Sequence, residues 1–80
     1  MAVASFHVLI TSPERVVVDD QAHSVLFPGE QGEFEVLPLH RPLVSRLLQG
    51  TVEIEGQAVT IRRGVVRVAD DVVTAVVELA

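Results

Sequence analysis

Few residues in this chain have the chemistry of a site, and their spacing suits none of the usual jobs. His7, His23 and His40 stand 16 and 17 residues apart, with no HxH or HxxxH pair. Zinc sites draw at least two ligands from a short local motif, so these read as surface or strand histidines. Ser5, Ser12, Ser24 and Ser45 lack the G-x-S-x-G elbow of a hydrolase nucleophile. Ser24 follows His23 directly, and on a strand such neighbours point to opposite faces. The carboxylate pairs Asp19-Asp20 and Asp70-Asp71 both follow apolar runs, where aspartate is an ordinary turn residue. Acid-base chemistry also needs a pocket, which a small filled core seldom offers. Gly29 and Gly32 form only a G-x-x-G, without the GK[ST] or the following helix of a phosphate loop. The sequence thus predicts no catalytic residue, no metal ligand and no cofactor.

Composition narrows the classes further. Eighty residues make one domain, read here as 1–80, near the small end of what folds alone. Cysteine is absent, which rules out a disulfide framework or a cysteine zinc site and fits an intracellular location. The opening MAVASFHVLIT has no basic region ahead of its short apolar run, so no secretory signal is expected. No 18-residue apolar run exists, so no helical insertion in a membrane is expected. The net charge is -5, and all six basic residues are arginine. That balance argues against nucleic-acid binding and suits a basic protein partner. Without lysine the chain is not a biotinyl or lipoyl carrier. Without Trp or Tyr it has little to stack on sugars.

The elements that must position any site follow a period of two. SFHVLIT, RVVVDD, AHSVLF and Phe34 to Leu37 read as short strands, broken at TSPE, at the two aspartates and at Pro28-Gly29. TVEIE places Val52 and Ile54 on one face. AVTIRR answers across Gly56-Gln57 with Val59 and Ile61 inward, so Glu53 or Glu55 could pair with Arg62. VVRV and VVTAVVEL form a second hairpin around Asp70-Asp71. PLVSRLLQG, residues 42–50, is ambiguous: Leu43, Val44, Leu47 and Leu48 recur at near-helical spacing, and a single helical turn is possible. The expected fold is all-β, a small β-sandwich or flattened barrel of about eight to ten short, mostly antiparallel strands.

One stretch fits neither a helix nor an ordinary strand. PGEQGEFEVLPLHRPL, residues 28–43, packs three prolines and two glycines among apolar side chains. It resembles the signature of the epsilon subunit of F-type ATP synthases, G-x-x-G-x-F-G-V-L-P-x-H-x-P-L. Gly29, Gly32, Phe34, Val36, Leu37, Pro38, His40, Pro42 and Leu43 match in order. FHVLITSPERVVVDDQAHSVLFPG is similar to the family's opening and LLQGTVEIEGQAVTIRRGVVRVADDVVTAVVE to its closing hairpins, so the resemblance covers about residues 5–79. Glu35 and Leu39 stand where glycine is usual, and Arg63-Gly64 replaces a frequent Gly-Gly. The family commonly continues into a C-terminal helical hairpin, which these 80 residues do not include.

The resemblance implies a non-catalytic rotor subunit on the cytoplasmic face of a bacterial inner membrane, peripheral to it. Its partners would be the gamma subunit and the ring of c subunits, whose polar loops carry arginine in this family. On that reading Glu30, Glu33, His40 and Arg41 face the c ring, while Gly29, Gly32, Phe34, Pro38 and Pro42 give the loop its shape. The prolines fix φ, and Phe34, Val36 and Leu37 are expected to anchor the segment to the core. A strand face with scattered valines within 65–79 is the candidate for gamma. The alternatives are an irregular loop that closes a sheet edge, or an unrelated sandwich module that binds a peptide there.

Overall fold

The computed structural model describes residues 4–80; the first three residues of the opening segment lie outside the described part. Eight strands and no helix are found among the described residues. β1 is Phe6–Thr11, β2 Val16–Ala22, β3 Val25–Gly29 and β4 Gly32–Val36. β5 is Leu43–Leu47, β6 Gly50–Ile54, β7 Gln57–Ala69 and β8 Val72–Leu79.

β7 organises the fold. Its first part, from Gln57 to Ile61, pairs with β6, and its second part pairs with β5 and β8. β1 joins β8 in parallel and β2 joins β1 antiparallel, giving one layer in the order β2-β1-β8-β7-β5. β3 pairs with β4 and β6 to form the second layer, and touches β5 through Gly29 opposite Leu47. The layers are therefore one folded sheet, a flattened barrel. The bend in β7 falls where its register against β8 slips between Ile61 and Arg63, leaving Arg62 as the extra residue of a bulge.

Alternation decides which side chains enter the core. Val8 and Ile10, Val25 and Phe27, Val52 and Ile54, Val66 and Val68, and Val73, Ala75 and Val77 all point between the layers and are buried. Most are β-branched, and such side chains stack well on a pleated surface. Ile61 is fully buried at the bend, beside the point where β7 passes from one layer to the other.

One ambiguity of the sequence is settled and two expectations are corrected. Residues 43–47 are a strand, not a helical turn: Leu43, Ser45 and Leu47 face inward and Val44 and Arg46 outward. Asp19 and Asp20 do not end β2 but lie within it, because β1 pairs with it as far as Ala22. AVTIRR and VVRV are one strand of 13 residues. Consequently Glu53 faces Ala58, and Arg62 reaches Glu78 instead, at 3.6 Å.

Candidate functional site

The β3–β4 hairpin begins from a steric demand. Phe27 is fully buried and stacks on Phe34 with ring centroids 5.6 Å apart. A Cβ on Gly29 would sit 2.7 Å from the Phe34 ring and 2.8 Å from the Gly32 carbonyl, so only glycine fits. Gly32 has φ +119°, which L side chains rarely adopt, although its surroundings are open. The turn between these glycines leaves Glu30 and Glu33 exposed. It is tied to β5 by the Glu30 amide donating to the Arg46 carbonyl (3.1 Å) and the Leu48 amide donating to the Pro28 carbonyl (2.9 Å).

The loop after β4 is held from another direction. The Leu39 amide donates to Asp71 Oδ1 at 2.7 Å, and the His40 amide donates to the Leu37 carbonyl at 3.2 Å. Leu39 takes φ +65°, a conformation that glycine adopts without cost. This is a position where glycine is usual in the family that the sequence resembles. The β7–β8 turn that supplies Asp71 has positive φ at Asp70 (+53°) and Asp71 (+58°), as a tight two-residue hairpin turn requires. His40 Nδ1 lies 2.7 Å from the Arg41 carbonyl oxygen; the oxygen only accepts, so Nδ1 carries the proton.

Glu30, Glu33, Phe34 and His40 line one open groove of about 770 Å³, together with Val44, Arg46 and Val65. The structure thus brings three of the four expected contact residues to one place; Arg41 is exposed but outside the groove. Leu37 is half exposed and does not anchor the loop, a role that Val36 (1% exposed) and Phe34 carry. Glu35 needs no glycine-like space, since its carboxylate points outward and accepts from Ser24 Oγ at 2.7 Å. Val44 and Arg46 were missed from sequence. A period of two across 43–47 was the available signal.

A second surface overlaps the groove at Val44, Arg46 and Val65. On the outer face of β5, β7 and β8, Val44 lies opposite Arg67, Arg46 opposite Val65, and Val65 opposite Val76. Val44, Val65, Val72 and Val76 are 44–69% exposed, an unusual run of apolar side chains on a wet sheet face.

The remaining polar groups have local partners. His7 Nε2 is 2.6 Å from Asp19 Oδ1, and His7 Nδ1 accepts from Gln21 Nε2 at 3.1 Å. His23 Nδ1 meets the Ala4 carbonyl at 2.7 Å. Ser12 is buried and its Oγ accepts from the Glu14 and Arg15 amides, so it shapes the β1–β2 turn. No group of three or more His, Cys, Asp or Glu able to hold a metal occurs among the described residues. No described helix is long and apolar enough to cross a membrane. Glu78 is held below the usual carboxylate range by its hydrogen bond from Arg63 (2.9 Å), then by the charge of Arg63, with Arg62 adding less.

A folded sheet of eight strands, with a glycine-bounded acidic turn and a proline-framed histidine loop beside it, defines a class of small sandwich domain. Residues 5–80 match the family described as "ATP synthase, Delta/Epsilon chain, beta-sandwich domain", and the chain belongs to it. That family is a non-catalytic subunit type of the synthase. The chain is 42% identical over 74 residues to the ATP synthase epsilon chain of a Nitratiruptor species, covering 86% of this chain and 57% of that protein. It is 38% identical over 79 residues to the ATP synthase epsilon chain of Campylobacter fetus subsp. fetus, covering 92% and 61%. The chain therefore spans about three-fifths of the length of these curated relatives.

Solved structures share the fold. A chain of the Euglena gracilis mitochondrial ATP synthase (OSCP/F1/c-ring in rotational state 1) superposes with a TM-score of 0.82 at 22% identity, over 92% of this chain and 51% of that one. One from the Tetrahymena thermophila mitochondrial ATP synthase (central stalk/cring) gives 0.78 at 12% identity, over 90% and 62%.

Proposed function

We propose that this sandwich is a central-stalk joint, seated between the gamma subunit and the c ring on the cytoplasmic face of a bacterial inner membrane. The observation that carries this is the convergence of Glu30, Glu33 and His40 on one groove in a chain of the delta/epsilon family. The turn is shaped by space at Gly29 and by positive φ at Gly32, two prolines frame the following loop, and hydrogen bonds tie the turn to β5 and the loop to the β7–β8 turn. A joint that transmits torque needs a shape held in this way, and exposed carboxylates on it can pair with arginine on a ring loop. Glu30, Glu33, His40 and Arg41 are assigned to the ring contact. The valine face of β5, β7 and β8 is assigned to gamma, because a lasting interface buries an apolar centre.

Glu33→Arg tests the ring contact. Glu33 is exposed, so the fold should stand while binding to isolated c ring weakens. Association equal to that of the unchanged chain sinks the assignment. A generic sandwich module would also fail to co-purify with gamma, whereas a stalk joint brings it along.

A further inference from the structure

We infer that the surface gamma presents to this domain is apolar and acidic, with carboxylates set to meet Arg46 and Arg67; this rests on the assignment of gamma to the β5–β7–β8 face. The chain as a whole carries -5, yet its charge is unevenly placed. Arg46, Arg63 and Arg67 all stand on this face, interleaved with Val44, Val65 and Val76. Arg63 is engaged by Glu78 on the neighbouring strand. Arg46 and Arg67 make no ion pair among the described residues.

The register makes the pattern a checkerboard. Val44 opposes Arg67 and Arg46 opposes Val65, so each guanidinium rises beside a valine on the adjacent strand. Arginine can lie its stem along such apolar surface and present a planar fork that grips a carboxylate in two places. When a partner covers the valines, water leaves the arginines as well. An arginine stripped of water without a counter-charge is costly, so a neutral or basic partner would be rejected here. The acidic turn at Glu30 and Glu33 sits at the edge of the same groove as Arg46, and has the opposite preference. The domain thus offers one acidic corner and one basic, valine-rich face, which suits two partners of opposite local charge.

The test is binding of this chain to purified gamma subunit from the same organism, measured at low and high salt. Arg46→Glu with Arg67→Glu should weaken binding by about tenfold or more at low salt, and should reverse its salt dependence because salt then screens a repulsion. Arg46→Gln with Arg67→Gln should weaken it less and flatten the salt dependence. Both arginines are exposed, so a matching urea midpoint confirms an intact fold. Val65→Asn with Val76→Asn probes the face without touching charge. If the asparagines weaken binding while charge reversal leaves it unchanged, gamma docks here and the acidic match is wrong. If neither pair changes binding, gamma does not use this face and both readings fall.

Discussion

Gly29 and Gly32 bound the same turn but exclude side chains for different reasons, and that difference is measurable. At Gly29 the obstacle is space: a Cβ meets the Phe34 ring at 2.7 Å and the Gly32 carbonyl oxygen at 2.8 Å. The ring is pinned against buried Phe27, and the carbonyl is backbone, so neither yields cheaply. Gly29→Ala should cost about 1–3 kcal/mol, the range for overpacking a well-filled site. At Gly32 there is space, with nothing within 4 Å of a Cβ, and the obstacle is φ +119°. Gly32→Ala should cost about 1–3 kcal/mol through backbone strain alone.

An 80-residue domain is stable by roughly 4–12 kcal/mol, so either loss is large. Handedness separates the two causes. A synthetic chain with D-alanine at 32 adopts positive φ freely, and should be equal to the parent or more stable by about 0.4–1 kcal/mol through a less free unfolded state. D-alanine at 29 gains no such benefit, since Gly29 has no positive φ. Urea unfolding followed by circular dichroism gives all four values. The reasoning is refuted if Gly29→Ala lies within about 0.5 kcal/mol of the parent, the range of neutral surface changes. It is equally refuted if D-alanine at 32 costs as much as L-alanine.

Further consequences follow from single contacts. Ile61→Ala, at the fully buried bend of β7, should destabilise by about 2–5 kcal/mol in urea unfolding and lower the protection of amides in both layers. Asp71→Gly keeps the positive φ but removes the acceptor for the Leu39 amide, so hydrogen exchange at Leu39 should rise by about tenfold while Asp71→Asn, which retains an oxygen acceptor, rises less. The Glu78 carboxyl titrates lower in the folded chain than its ordinary value of 4.5. Its stabilising effect is therefore present above pH 4.5 and is lost as pH falls through the depressed value. Glu78→Gln should lessen the decline of stability with acid in that window, read from urea midpoints at several pH values. An unchanged acid profile would show that Arg63 and Arg62 do not hold the carboxylate.

The all-β class was legible from alternation alone, because facing in or out along a strand depends only on neighbouring residues. Val52 and Ile54, Val66 and Val68, and Val73, Ala75 and Val77 enter the core as a period of two demands. The glycines and prolines of 28–43 likewise marked a shaped segment, and their order pointed to the family that residues 5–80 match. Long-range pairing settled the rest. Asp19 and Asp20 look like a turn until β1 pairs along them, and 43–47 is ambiguous between strand and helical turn until β7 supplies its hydrogen bonds. The extra residue at Arg62 lets one strand serve two layers, which no local pattern announces. The groove exists only because β5 is laid beside the β3–β4 turn, bringing Arg46 and Val44 to Glu30 and Glu33. Residues distant in the chain become neighbours through backbone hydrogen bonds between strands, and the chemistry of those bonds is the same for every side chain they carry.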